Sequence, residues 1–339
     1  MILVSGATGF IGRYLVKKLV SNYSKDSLLC LGYPDYEPII EGPGRQALRK
    51  LNVGVQDVDL RKPIPKNSTS FELVFHLASN TDTAEPDHSI NEKSAKHLLD
   101  SITVDSNTHI VFASSIAVSD NPTQRVSVID ENTPLGEPLH RYGVSKINTE
   151  HWLIEQARKQ DFRLSVVRVC AVYGVGQRQK GLFGTVDRWA RNKSFLRAIP
   201  FPGRIGIMNV EDMAEFFLKV GLLPPAPGQY KIYNPVTESL SVSELLEELQ
   251  THFSVKKFPT PKALPLWRIL NKFLRSAGPL APILPHSIYN RIWQAILVTG
   301  DSYNIKSGSA HQVLGARQLT TYRQWLTNLN HSSLAGMEL

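Results

Sequence analysis

Tyr142 and Lys146 stand four residues apart in the stretch Tyr142-Gly143-Val144-Ser145-Lys146. In a helix, residues at that spacing share a face. An ammonium beside a phenol favours the phenolate and lowers its pKa, which makes Tyr142 a candidate general acid/base near neutral pH. The same lysine could hold a ribose hydroxyl. Upstream, His109-Ile110-Val111-Phe112-Ala113 reads as a buried strand ending at Ser114-Ser115. Open parallel sheets place ligands beyond the carboxyl ends of their strands. A hydroxyl there, that of Ser115, can donate to a carbonyl and steady charge developing on its oxygen. Taken singly, a Tyr/Lys pair is common on exposed helices and a strand-end serine is an ordinary turn residue. Their weight comes from a third feature at the start of the chain.

That feature is Met1-Ile2-Leu3-Val4-Ser5-Gly6-Ala7-Thr8-Gly9-Phe10-Ile11-Gly12. An apolar strand runs into three glycines spaced G-x-x-G-x-x-G, and a helical pattern follows with Ile11, Leu15 and Leu19 on one face. Glycine permits positive φ and leaves room for a pyrophosphate against the backbone. The unpaired N–H groups and dipole of the helix then favour negative charge. Gly6, Thr8, Gly9, Phe10, Ile11 and Gly12 are therefore the expected dinucleotide contacts.

The elements that would position these residues alternate. Strands are expected at Leu28-Leu29-Cys30-Leu31, at Val55 to Leu60, at Leu73 to Ser79, at His109 to Ala113 and at Leu164 to Val169. Helical patterns cover Asn91 to Ile102 and Arg141 to Arg158, while Pro34 to Arg49 reads as a Pro/Gly-punctuated loop. Leu73 to Ser79 is apolar on both faces, as in a buried parallel strand. His76, at its end, has no nearby partner for a catalytic dyad and reads as a core histidine. The expected fold is α/β: a doubly wound parallel sheet (Rossmann) with a smaller C-terminal substrate domain. Residues 1–174 would form the nucleotide-binding domain, with 205–235 returning to it. Residues 175–330 would be mainly substrate-binding, and 331–339 a tail. Beyond 174 the signals are a loop from Pro200 to Gly206, a helix after Asn209 or Asp212, a strand at Tyr230 to Asn234, a Ser241/Glu244 capping box opening a helix to Phe253, and a last helix from Tyr322 to Leu329.

With 339 residues and an ordinary globular composition, a large core is expected. Two cysteines in apolar runs argue against a disulfide framework, and with no cleavable leader pattern a cytoplasmic location is expected. The formal charge is +8, and its placement is uneven. From Leu249 to Gly300 there is no Asp or Glu, while Lys256, Lys257, Lys262, Arg268, Lys272, Arg275 and Arg291 all fall there. Three readings fit this stretch. It could be core with a basic outer face, a pocket for diphosphate, or, through Leu264, Leu266, Trp267, Leu270, Phe273 and Leu274, a membrane-surface contact within 256–297. No nucleic-acid module is present.

Taken together, Gly6-Ala7-Thr8-Gly9-Phe10-Ile11-Gly12, Phe75-His76-Leu77-Ala78, Phe112-Ala113-Ser114-Ser115 and Tyr142-Gly143-Val144-Ser145-Lys146 resemble the extended short-chain dehydrogenase/reductase family, in its NAD-dependent epimerase/dehydratase branch. Val172-Tyr173-Gly174 and Val210-Glu211-Asp212-Met213-Ala214 are weaker echoes. The resemblance implies a triad of Ser115, Tyr142 and Lys146, in which Tyr142 takes a proton from a sugar hydroxyl while hydride passes to a nicotinamide. It also implies that Asp59 and Leu60 contact the adenine, that Leu77, Ala78 and Ser79 pass the cofactor, and that the chain forms a homodimer. The cofactor would be NAD or NADP. No acid or arginine is well placed at Gly32 to choose, although Arg45 and Arg49 could reach a 2′-phosphate. Ile116 and Ala117 stand where the family's dehydratases carry Asp-Glu, which argues against elimination of water. Ala171 replaces an expected Asn, and Ser119-Asp120 an expected Tyr-Gly, so the usual substrate contacts are altered. Arg178, Lys180 and Arg204 are the alternative phosphate ligands. The expected function is a sugar-nucleotide epimerase or 4-ketoreductase acting on a nucleotide-diphosphate sugar. Alternatives are an NADPH-dependent reductase of a hydrophobic ketone or aldehyde, of dihydroflavonol-reductase or 3β-hydroxysteroid-dehydrogenase type, and a non-catalytic cofactor sensor.

Overall fold

The computed structural model describes residues 1–34, 38–83, 85–120, 128–138, 140–179, 181–192, 199, 201–255, 265–276, 284–300, 304–305, 308–315 and 318–329. In chain order the elements are β1 (Ile2–Ser5), α1 (Phe10–Val20), β2 (Leu28–Gly32), α2 (Pro38–Lys50), β3 (Gln56–Asp57), β4 (Leu73–His76), α3 (Ser89–Ser101), β5 (His109–Ser115) and β6 (Val128–Ile129). Then come α4 (Arg141–Gln160), β7 (Arg163–Val169), β8 (Ala171–Tyr173), α5 (Leu182–Arg191), β9 (Arg204–Asn209), α6 (Val210–Gly221) and β10 (Tyr230–Tyr233). The chain continues through β11 (Glu238–Ser241), α7 (Val242–His252), α8 (Pro265–Ser276), α9 (His286–Thr299), β12 (Asn304–Ile305), α10 (Gly308–Leu314) and α11 (Tyr322–Asn328).

The main sheet has the order β10-β7-β5-β4-β1-β2-β3, and every pairing in it is parallel. The strand order reverses between β1 and β4, whose ends are level because Ser5 pairs with His76. A doubly wound sheet opens its ligand crevice at that reversal. Every residue of β1, β4 and β5 is buried, which explains their unbroken apolar runs. One face is packed by Leu15, Val16 and Leu19 of α1, Leu48 of α2, and Phe216 and Phe217 of α6. The other is packed by Leu98 and Leu99 of α3 and Leu153 and Ala157 of α4.

A third core joins Tyr173, Phe183, Val186, Leu245, Leu249, Tyr322 and Trp325 around the small sheet β11-β9-β8. The C-terminal stretch does not stay on that side. Ala310 and Leu319 belong to the first core, the Thr320 N–H donates to Asp212 Oδ2 (2.8 Å), and Tyr173 Oη donates to the Thr320 carbonyl (2.6 Å). The Ser241/Glu244 capping box forms as its sequence implies, and Asn209 caps α6 by accepting from Glu211 N. Asp212 is thereby free of capping duty and holds the C-terminal segment instead.

Two expected loops are different in the structure. The stretch expected as a loop from Pro34 to Arg49 contains α2, with Pro43 inside it. Its stability is tertiary: Leu48 is fully buried, and a Cβ on Gly44 would lie 1.8 Å from the Thr8 carbonyl oxygen, so glycine lets the helix lie on the first turn of the chain. The expected Pro200 to Gly206 loop ends early, because Arg204, Ile205 and Gly206 pair with Ser241, Leu240 and Ser239 in the antiparallel β9–β11 ladder. Cys30 and Cys170 are buried and unpaired, and burial pushes both thiols up. Residues 331–339 lie outside the described residues.

Helix α4 is fixed to the sheet by polar contacts rather than by apolar packing alone. Glu150, 1% exposed, pairs with Arg168 of β7, 3% exposed, at 3.0 Å. Arg168 Nε adds a second contact to the same carboxylate at 3.2 Å, and Ser114 of β5 donates to it as well. Removing one partner of a buried pair strands the other charge. Glu150→Ala should therefore cost about 3–5 kcal/mol in chemical denaturation, while Glu150→Leu combined with Arg168→Met should cost clearly less; equal losses would remove the pair from its role.

His109 makes a second buried contact. Its Nδ1 donates to the Gly221 carbonyl (3.1 Å), which leaves Nε2 to accept from Ser165 Oγ (2.9 Å) in the neutral ring. Burial pulls its pKa from 6.5 down to about 4. The folded ring stays neutral while the unfolded one gains a proton, so stability should fall as pH drops from 6.5 toward 4. Denaturation curves across this window should show a shallower loss in His109→Gln.

Candidate active site

The glycine turn has the shape expected of a phosphate cradle. Gly6 has φ +70°, and a Cβ there would sit 2.7 Å from the Ala78 nitrogen. A Cβ on Gly12 would sit 2.1 Å from the Gly6 carbonyl oxygen. The turn is closed by the Gly9 N–H donating to that carbonyl (3.0 Å). No side chain caps α1 at Gly9, so its first N–H groups are left for a ligand. Thr8 is 1% exposed, yet its Oγ1 has no hydrogen-bond partner among the described residues. An unclaimed hydroxyl, a helix N-terminus and glycines that admit no side chain suit a pyrophosphate. Phe10 and Ile11 begin the helix, and Leu77, Ala78 and Ser79 follow β4 directly across from Ser5, whose Oγ bonds His76 Nδ1 (2.7 Å).

β2 ends at Gly32. Arg45 reaches this point but donates to Asp57 Oδ1 (2.6 Å) and the Tyr33 carbonyl (3.1 Å). Asp59 is bound by Arg61 through two contacts of 2.9 and 3.0 Å. Leu60 is buried, and its carbonyl meets His97 Nδ1 at 2.9 Å.

Across the crevice, the two serines at the end of β5 divide their work. Ser114 donates to Glu150, whereas Ser115 lies near enough to the Tyr142 hydroxyl to lower its pKa and accepts from Ala117 N (3.3 Å). Lys146 is 2% exposed, and its Nζ donates to the Ala113 carbonyl at 2.8 Å. Nζ lies 4.8 Å from the Phe112 ring centre and 5.9 Å from that of Tyr142. Ser115, Tyr142 and Lys146 thus converge beside the end of β4.

The electrostatics differ from the expectation that Lys146 depresses the phenol. Burial pushes Tyr142 up to about 12, against the pull of the Ser115 hydrogen bond and the charge of Arg178. Burial also drives Lys146 down to about 7, with Glu150 opposing it. Desolvation outweighs the pairwise attraction because the lysine is turned to the Ala113 carbonyl at the foot of the site. Arg178 is the cation acting on Tyr142.

Several positioning residues carried no signal in the sequence. Asn91 of α3 accepts from Ser79 Oγ (3.1 Å) and Asn80 N (2.8 Å), and donates to Ser145 Oγ (3.1 Å). Ser145 in turn donates to the Tyr142 carbonyl (2.8 Å). Asn91 therefore ties the segment after β4 to the first turn of α4. His140 caps α4 by accepting from Gly143 N (3.0 Å) at Nδ1, and its Nε2 meets Asp120 (3.2 Å). The rings of His140 and His88 flank that of Tyr142 at 6.0 and 5.5 Å. Only the position of His140, just before the helix, hinted at a cap.

Gly174, directly after β8, has φ +149°. Arg13 donates to the Val175 and Gly176 carbonyls (3.2 and 3.0 Å), and Tyr14 Oη to Val175 (3.0 Å). These contacts pin the start of the Arg178 loop to α1. Arg204, expected to meet phosphate, is drawn elsewhere: it pairs with Glu244 (3.0 Å) and donates to the Ser239 carbonyl. Its place at the start of β9 sets it beside the helix cap of α7, so its charge is already met. Lys180 lies outside the described residues, as do 256–264 and 277–283 of the basic stretch. Among the described residues, no group of His, Cys, Asp and Glu could hold a metal ion, and no helix is long and apolar enough to cross a membrane.

A model described as the NAD dependent epimerase/dehydratase family matches residues 2–234. A Methanocaldococcus jannaschii protein named "Putative UDP-glucose 4-epimerase" is 31% identical over 209 residues, 57% of this chain and 64% of that protein. ADP-L-glycero-D-manno-heptose-6-epimerase of Brachyspira hyodysenteriae is 25% identical over 284 residues, 78% of this chain and 86% of that one. Among solved structures, UDP-glucose 4-epimerase of Thermotoga maritima with UDP-glucose aligns with a TM-score of 0.67 at 18% identity, covering 96% of each chain. UDP-glucose 4-epimerase of Bifidobacterium longum with NAD+ and UDP aligns with a TM-score of 0.67 at 18% identity, over 99% of this chain and 97% of that one. At such identity the structures speak for the fold. With that fold, the glycine cradle and a family match over more than half its length, the chain belongs to the NAD-dependent epimerase/dehydratase family.

Proposed function

We propose that this chain is a sugar-nucleotide epimerase or 4-ketoreductase that uses NAD or NADP, with Tyr142 as its acid/base. The observation that carries the reading is that Lys146 Nζ, held by the Ala113 carbonyl just before Ser115 on β5, lies 5.9 Å from the ring centre of Tyr142. The sugar-nucleotide class is supported by the names of both relatives. Ile116 and Ala117, in the short turn after Ser115, offer no acid to expel water, which favours epimerisation or reduction over dehydration.

Gly6, Thr8, Gly9, Phe10, Ile11 and Gly12 would hold the pyrophosphate of the dinucleotide. Asp59 and Leu60 would border its adenine, and Leu77, Ala78, Ser79 and Lys146 its nicotinamide half. When bound, the nicotinamide supplies reversible hydride acceptance from a sugar carbon. The protein's own part is proton traffic and orientation. The Tyr142 hydroxyl gives a proton to, or takes one from, the oxygen on the reacting carbon. The Ser115 hydroxyl bonds the same oxygen and keeps the phenol aimed at it. Lys146, whose pKa of about 7 leaves it responsive near neutrality, adds positive charge beneath the phenol when protonated. Arg178 supplies positive charge from the substrate side and is the residue we assign to the diphosphate of the sugar nucleotide.

Incubation with UDP- and dTDP-sugars should give cofactor-dependent conversion, followed by product analysis. Tyr142→Phe should lower kcat by about 10²–10⁴-fold while the purified protein keeps its dinucleotide; unchanged turnover would exclude Tyr142 as the acid/base. Gly12→Val should abolish retention of the dinucleotide, quantified after release from protein whose circular dichroism matches the parent, because the added carbons meet the Gly6 carbonyl.

A further inference from the structure

Helix α8 turns Ile269 and Phe273 away from the protein. Asn271, 8% exposed, donates from Nδ2 to the Ile296 carbonyl (3.0 Å) and to Thr299 Oγ1 (3.1 Å) of α9. Its Oδ1 accepts from Arg275 Nε at 2.7 Å. These contacts set the polar side of α8 against α9. Residues two positions before and after Asn271 lie about 200° around the helix from it, so Ile269 and Phe273 point outward. They are 66% and 70% exposed, and at four residues apart they form one stripe. Leu270 borders it, and Ile288 in the first turn of α9 is also exposed. Four of the eleven large hydrophobic residues exposed among the described residues fall in this one helix pair. An ordinary surface helix buries its apolar stripe and shows its polar one; here the order is reversed.

The charge on the same two helices names what can cover the stripe. Lys272 and Arg291 are exposed on α8 and α9, and the sequence from 249 to 300 holds seven Lys and Arg and no acid. A second copy of the same face would bring like charges together, which opposes self-association. An anionic phospholipid surface meets both demands: apolar side chains enter the boundary between headgroups and acyl chains while cations meet phosphate. We propose that the α8–α9 face docks this enzyme on anionic lipid, with Ile269 and Phe273 inserted and Lys272 and Arg291 on the headgroups. The contact is peripheral, since no described helix is long and apolar enough to span a bilayer.

The full chain is sedimented with vesicles of phosphatidylcholine alone and with vesicles in which about a third of the lipid is phosphatidylglycerol. Binding to the anionic vesicles, weakened by added salt, is expected. Ile269→Ser combined with Phe273→Ser should lower partitioning about tenfold or more, and Lys272→Glu should lower it on anionic vesicles only. Both variants should keep the parent circular dichroism and thermal midpoint, because the altered side chains are exposed. No binding to anionic vesicles, equal binding by the double variant, or light scattering that shows the double variant splitting a dimer would each overturn the proposal.

Discussion

The buried carboxylate of Glu150 is the constraint on which the site depends. It sits on α4, accepts from Ser114 of β5 and pairs with Arg168 of β7. One side chain thus sets the helix against two neighbouring strands of the sheet. The same helix carries Tyr142 and Lys146, and the same strand β5 ends at Ser115. Apolar packing by Leu153 and Ala157 could hold α4 near the sheet, but such contacts tolerate sliding. A directional charge pair does not. The register that brings Tyr142 to Ser115 is therefore written in polar atoms beneath the site. Asn91 and His140 repeat the device from the other side, fixing the first turn of α4 through Ser145 and Gly143.

Burial that gives this precision also sets the chemistry. The phenol is moved up and the lysine down, each toward its neutral form. In the reading proposed above, the neutral phenol holds the proton that it would deliver to a ketone oxygen. Taking a proton calls for positive charge nearby, and Arg178 is the cation that pulls the phenol down.

What the sequence made legible was local. The glycine spacing, the Tyr142/Lys146 pair, the buried strands and the Ser241/Glu244 cap are all set by neighbours a few residues apart, and their geometry is that of the motif. Helix α2 was hidden because its glycines and Pro43 read as turn signals; Gly44 is there for the Thr8 carbonyl, a contact that only tertiary packing creates. Asn91 was hidden for the same reason, since its partners lie 11 and 54 positions away. Arg204 was visible as a cation but not as one already paired with Glu244. For α8 the alternation of apolar and basic residues was plain, yet which side faces inward was decided by the contacts of Asn271 on α9.

The segment from Gly308 to Asn328 has a consequence for the order of assembly. It closes the pocket of Tyr173 with Tyr322 and Trp325, places Leu319 in the first core and satisfies Asp212 through Thr320. These residues are synthesised after the main sheet that they complete, so its core stays partly unfilled until they follow. Long sequence separation of this kind slows folding and lengthens the time that apolar surface is open to other molecules.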